Sequence, residues 1–368
     1  MTLELSLTGP ASHTVDVPAG QGSLRIGPVV PGAPRPDLVV APDDALDWSA
    51  FDGLTVPAGY PWPRVLRYQG ADPGFLTWSE RRPIEQFHWV PTTAMTVDAG
   101  AARIDHFTLS LRDTPLEIVL PATTSVLTVN GDPALLRATL PPGGTCPYLY
   151  VHPDTRPARD APPLRLPPLP ALRATTGVYV GVAALRQPFD CASLTQFPHL
   201  TAVRLSGHLA GLDALAGLPR LERLQLADCP DLTGLPPLGT WPALRALDAT
   251  NIERGAGQDL RRQLKEHRVP HASVTRLRTA EWFEHNHGLP FGTWPRATAR
   301  RATTAFRAAE TADDPEAGIR GFVRAVNDLP GIGTIERDDA AEAVVLLAAR
   351  AKIPEERALS WFDSERDF

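Results

Sequence analysis

The sequence predicts an α/β chain in which a short solenoid of stacked parallel strands is preceded by a β-rich region and followed by a helical domain. Three observations carry this prediction. A spaced apolar pattern recurs in the middle of the chain, prolines crowd the first half, and apolar residues beyond 280 fall at a period of about 3.6. The 368 residues allow two or three domains with a substantial core. A content of 43% hydrophobic and 21% charged residues is that of a folded globular protein. Of the 39 prolines, 26 lie before residue 172, which excludes long helices from the first half. Lys and Arg number 36 against 42 Asp and Glu, a net charge of -6, so no overall field favours nucleic acid or anionic lipid.

Residues 1–98 read as a Pro/Gly-rich region of short strands and ordered loops, with Pro57, Pro61 and Pro63 among the helix breakers. Aromatic residues such as Trp48, Phe51, Tyr68, Phe75, Trp78, Phe87 and Trp89 are dense enough there to build a small core. The opening residues carry Glu4 where a secretory signal needs cationic residues, and no apolar run follows, so a cytoplasmic location is expected. Residues 99–163 show strand alternation at Phe107, Leu109 and Leu111, at Leu116, Ile118 and Leu120, and at Leu149 and Val151, separated by Pro- and Gly-containing turns. This stretch reads either as degenerate early turns of the central array or as a separate β cap on its open end.

The central array, 164–278, rests on segments beginning at Phe197, Leu218 and Trp241, which share the form apolar-Pro-x-Leu-x-x-apolar-x-apolar. Their starts are 21 and 23 residues apart. The second segment continues through Leu221, Leu224 and Leu226 to Cys229, and then to Leu232, Leu235 and Leu238. In these residues the chain resembles the leucine-rich repeat family, whose unit LxxLxL is followed three positions on by Asn or Cys, with a period of about 20 to 29. His208 and Ile252 take the Asn/Cys position in the flanking copies and Ala249 replaces a leucine, which interrupts the family's polar ladder. Weaker copies, around Leu172 with Val178 and Val180 and around Val269, Ala272, Val274 and Leu277, extend the array. The resemblance implies short parallel strands along a concave surface, each burying an apolar face that no single unit can bury alone.

Residues 279–368 read as a helical domain with helices at 297–310, 315–327, 336–352 and 354–362, Pro315 and Pro354 being suited to a first helical turn. The most apolar run, Ala343 to Ala349, is far shorter than the roughly 20 residues that cross a bilayer, so no membrane association is expected.

Catalytic signatures are missing: there is no GxSxG, GxxxxGK[ST] or HExxH, and the sequence predicts neither an enzyme nor a cofactor. The three cysteines, Cys146, Cys191 and Cys229, are widely spaced and odd in number, which fits reduced, buried thiols rather than a disulfide framework or zinc site. Glu284, His285 and His287 form the first candidate metal cluster, on a segment read as an extended surface junction, and His267 with His271 a weaker one whose helix Pro270 breaks; without further spaced ligands no metal is expected. Between Glu253 and Arg278 seven basic residues face three acidic ones, but no aromatic side chains interleave them, so nucleic acid is not the expected partner.

The positions between the array's apolar residues are expected on the open strand face: Thr176, Tyr179, Thr201, Arg204, Ser206, Glu222, Arg223, Gln225, Asp228, Arg245, Asp248, Asn251 and His271. The resemblance implies binding of a protein or peptide there, with Tyr179, Arg204, Glu222, Arg223, Gln225, Asp228, Arg245 and Asp248 as the contact set. The expected function is a non-catalytic protein-interaction module. Its alternatives are an immunity or antitoxin-like inhibitor of a toxic enzyme, and an enzyme whose site lies outside the repeats.

Overall fold

The computed structural model describes residues 2–16, 22–30, 35–55, 59–155, 161–286 and 289–367. The chain divides into two compact units, residues 1–28 with 37–287, and residues 29–36 with 288–368. The first is mixed α/β and is built on one large sheet.

Its strands are β1 (Ser23–Gly27), β2 (Leu38–Val39), β3 (Val65–Gln69), β4 (Ile84–Val90), β5 (Ile104–Leu111), β6 (Val126–Gly131), β7 (Tyr148–Pro153), β8 (Gly177–Gly181), β9 (Ala202–Ser206), β10 (Arg223–Ala227), β11 (Ala246–Thr250) and β12 (His271–Thr275). They follow one another across the sheet in chain order, except that β2 lies outside β1 at the N-terminal edge. Every neighbouring pair is parallel. Two of the three sequence-based boundaries, after 98 and after 163, therefore fall inside one unit and one sheet, and the third, expected after 278, falls after 287. The register Val129↔Val151 joins β6 to β7, and Val151↔Val180 carries the same row into β8. The early strands were read as a separate region because Ile26, Tyr68, Phe87, Trp89 and Phe107 take buried positions among their leucines, which breaks the leucine period.

Alternation sends one set of side chains to each face. Phe87, Phe107, Leu127, Leu149, Val178, Val203, Leu224 and Leu247 form one continuous in-register row, and all are buried. A second buried row runs from Tyr68 and Trp89 to Leu205, Leu226 and Ala249. Burying each such side chain contributes roughly 1.5–3 kcal/mol.

The return segments divide into two kinds. After β4, β5 and β6 the chain alternates again, and Met95–Asp98, Leu116–Val119 and Leu136–Thr139 pair as a smaller parallel sheet. After β8, β9 and β10 the apolar residues instead recur every third position, and 3₁₀ turns form at Cys191–Gln196, Leu212–Gly217 and Leu238–Thr240. Three residues per turn put Leu212, Leu215 and Leu218 on one side, and all three are buried. An acid opens many of these returns. Asp132 accepts a hydrogen bond from the Ala134 amide at 2.9 Å, Asp190 one from Ala192 at 2.9 Å, and Asp231 one from Thr233 at 2.8 Å. Gly207 leaves β9 at φ +95°, where a Cβ would sit 1.8 Å from the Val182 carbonyl oxygen, so only glycine fits. The last return before β12 is helical. Helices α1 (Gly74–Arg81) and α2 (Arg254–Glu266) belong to this unit, and Glu253 caps α2 by accepting from the Gly255 and Ala256 amides. Helix α3 (Ala280–Asn286) stands where the sequence suggested an extended junction.

The second unit holds α4 (Arg296–Glu310), α5 (Pro315–Asn327), α6 (Thr334–Ala351) and α7 (Glu355–Glu365), within a few residues of the ranges expected. Its core gathers Phe291, Trp294, Phe306, Ile319, Phe322, Val344 and Phe362. Pro315 is the first residue of α5 behind an Asp314 cap, whereas Pro354 is itself the residue before α7. Glu310 receives Arg307 and Arg350. Burial pushes its carboxyl up, but the hydrogen bond from Arg307 and the charges of both arginines hold it below the ordinary value.

Candidate functional site

One face of the large sheet is packed and the other is open. Parallel sheets usually have both faces buried, so the residues on an open face merit individual placement. Register puts Tyr150, Tyr179, Arg204, Gln225 and Asp248 in one row across β7 to β11. The adjacent row of the same parity carries Ala202, Arg223, Ala246 and His271. Of the predicted contact residues, Tyr179, Arg204, Arg223, Gln225 and Asp248 are therefore brought together.

Three are not. Glu222 and Arg245 each lie one residue ahead of β10 and β11, out of phase with Arg223 and Asp248, because the chain has not yet entered the alternation there. Their role is in the backbone ladder: the Arg245 and Ala246 amides both donate to the Glu222 carbonyl, at 2.8 and 3.0 Å. Asp228 lies just past β10, half-buried at φ +56°, and accepts a hydrogen bond from Asn251 Nδ2 at 2.9 Å. It is a turn residue.

The open face also holds groups that the sequence reading missed. A depression of about 290 Å³ between β7 and β10 is lined by Tyr148, Tyr150, Gly177, Tyr179, Ala202, Arg204, Arg223 and Gln225, among others. Tyr148 and Tyr150 remain 39% and 37% exposed, while most large apolar side chains are buried. Their signal was present in the alternation of Tyr148, Leu149, Tyr150 and Val151, where the tyrosines fall opposite the buried leucine and valine. Tyr179 is held edge-on by Tyr150 at 5.3 Å and by His152 at 5.1 Å, and the Arg204 guanidinium lies 4.5 Å over its ring. A Cβ on Gly177 would meet Tyr148 Cδ1 at 2.0 Å, so glycine at that position lets the tyrosine ring lie across the sheet.

A second depression, of about 270 Å³, lies further along the same face, with Arg67, His88, His106 and Tyr150 in its lining. His88 Nε2 lies 2.7 Å from Ser110 Oγ, which also accepts from Asn130 Nδ2 at 3.1 Å. Burial, then the charges of Arg67 and Arg25, lower the His88 pKa from 6.5 to about 4. His152 is lowered in the same direction by burial and by Arg204. Both imidazoles are thus neutral at physiological pH, and the cationic character of the face comes from its arginines.

The thiols are less acidic than usual. Burial pushes Cys191 up to about 12 and raises Cys146 and Cys229 as well, which works against a thiolate nucleophile. Cys229 donates instead to the Ala227 carbonyl at 3.1 Å. Among the described residues no group of three or more His, Cys, Asp or Glu side chains is placed to hold a metal. His287 and the side chains of Glu284 and His285 lie outside the described residues. No helix among the described residues is long and apolar enough to cross a membrane. In the basic stretch Arg262 pairs with Asp259, and Arg261 donates to the Val274 carbonyl at 2.7 Å, so both are engaged on α2 and the adjoining strand. No protein-family model, curated protein or solved structure matches the chain.

Proposed function

We propose that the large parallel sheet is a solenoid of the leucine-rich repeat type and that its open face is a concave surface on which the protein binds another protein or a peptide without catalysing a reaction. The repeat reading is supported by equivalent, buried register positions in successive units: Val203 and Leu205, Leu224 and Leu226, Leu247 and Ala249. The observation that carries the function is the gathering of Tyr179, Arg204, Arg223, Gln225 and Asp248 beside Tyr148 and Tyr150 on one open sheet face. Tyrosine and arginine are the residue types most enriched at binding hot spots, and here both are held by the sheet itself.

The test is an affinity pull-down with the full chain, read by mass spectrometry, followed by binding assays on two matched variants. Arg204→Glu with Arg223→Glu should abolish binding of the identified partner while leaving the melting temperature nearly unchanged, since exposed strand positions contribute little to stability. Arg261→Glu with Arg262→Glu, on α2, should bind as the parent does. Loss of binding in the α2 variant alone would move the site to the basic cluster.

A further inference from the structure

We infer that the depression between β7 and β10 accepts an extended acidic segment of a partner protein in which an aromatic side chain lies close to a carboxylate. This inference rests on the reading of the open face as an interaction surface and specifies what that surface recognises. Two in-register rows build the slot. The first places Tyr148 and Gly177 beside Ala202 and Arg223, and the second carries Tyr150, Tyr179, Arg204 and Gln225.

The floor is low because Gly177 and Ala202 have little or no side chain. One wall is aromatic, made by the partly exposed Tyr148 and Tyr150. The opposite wall is cationic. Arg204 is held over Tyr179, whose hydroxyl lies 3.4 Å from Ser206 Oγ, so the guanidinium is oriented before any ligand arrives. Among the described residues neither Arg204 nor Arg223 is in an ion pair with a carboxylate, whereas Arg64, Arg165 and Arg320 elsewhere are. The acid nearest in the Arg204 row, Asp248, lies beyond Gln225. A guanidinium fork that is positioned but unpaired suits a carboxylate, which it binds through two hydrogen bonds.

The spacing matches an extended peptide crossing the strands. From Gly177 on β8, the floor under the aromatic side chain, to Arg204 on β9 and Arg223 on β10 is one to two strand spacings, about 5–10 Å, and alternate side chains of an extended segment lie about 7 Å apart on one side. An aromatic residue over Gly177 and Ala202 thus brings an Asp or Glu two positions away to Arg204 and Arg223. Arg67, in the same row on β3, extends the preference for acidic residues along the face.

The experiment is selection of a phage-displayed random dodecapeptide library on the immobilised full-length chain. Recovered peptides are synthesised and measured by fluorescence anisotropy against the parent, Arg204→Glu/Arg223→Glu and Tyr150→Ala, each checked for folding by circular dichroism. If the charge reversal does not fold, Arg204→Gln/Arg223→Gln replaces it. Peptides with Asp or Glu within two positions of an aromatic residue, binding the parent at least tenfold more tightly than either variant, are the expected result. Peptides that depend on these residues but show no such acidic and aromatic enrichment would overturn this inference and leave the binding face standing. Recovery of no peptide whose affinity depends on the face would overturn both.

Discussion

Strands β3 to β5 and strands β9 to β11 occupy the same sheet, yet they fill it with different residues. In the first stretch Tyr68, Phe87, Trp89 and Phe107 put rings at buried strand positions: Phe87 stacks on Phe75 with centroids 3.9 Å apart, and Trp48 meets Tyr68, Phe75 and Trp78. In the second they hold Val203, Leu205, Leu224, Leu226 and Leu247. The returns differ as well, alternating strands after β4 and β5 and turns of period three after β9 and β10. The backbone ladder thus requires alternation and a filled interior, whereas the identity of the filler is a local choice set by the space that each return leaves.

Substitutions can break or sharpen this comparison. The largest effect is expected in the aromatic stretch, where Phe87→Ala removes a fully buried ring and should cost ~3–5 kcal/mol in urea denaturation. A cost under about 1 kcal/mol would mean that the rings do not carry the packing of their strands. In the leucine stretch, Leu224→Ala should cost ~2–5 kcal/mol, and Gln225→Ala, the next residue along the strand, should stay within about 0.5. Equal shifts from these two neighbours would contradict the register.

The two stretches should also differ in their response to acid. Because His88 is held neutral, the unfolded chain takes up the proton first as pH falls below 6.5, and stability is lost until about pH 4. At 1.36 kcal/mol per unit the loss from this residue is on the order of 3 kcal/mol, and His88→Gln should abolish it. Its counterparts in the same row of the leucine stretch, Arg204 and Gln225, are not imidazoles. A His88→Gln protein that keeps the full acid slope would place the titration elsewhere. The smallest effect belongs to Glu310 in the helical unit. Its depressed carboxyl contributes stability above the unfolded value, and this is lost as pH falls through the lower folded one. Glu310→Gln should lower stability slightly near neutral pH and reduce that acidic slope, the variant and the parent converging at low pH.

How much was legible follows from the same contrast. The leucine stretch showed its strands because spaced leucines and Pro-x-Leu starts keep a visible period. The aromatic stretch kept the alternation but not the residue type, so β1, β3 and β4 were not assigned to the sheet. The helices of the second unit were read nearly to their ends from apolar periodicity and prolines. At the site, Tyr179, Arg204, Arg223, Gln225 and Asp248 were readable from alternation within single strands. The pairing of β7 with β8, which sets Tyr148 and Tyr150 beside them, depends on a connection of more than twenty residues, and no local pattern reports it. Glu222, Arg245 and Asp228 were misplaced for the converse reason: alternation was extended past the strand ends, where the chain turns.

The central claim is that partners meet the open face of the sheet, and site-specific photo-crosslinking tests it most directly. A photoreactive phenylalanine analogue replaces Tyr150 on the open face in one variant and Ala192, exposed on a 3₁₀ return, in another. Irradiation of cells expressing each variant should give a discrete higher-mass adduct from position 150, lost when Arg204 and Arg223 are reversed to Glu, and none from position 192. Adducts from position 192 with none from position 150 would contradict the account and place the interaction on the returns.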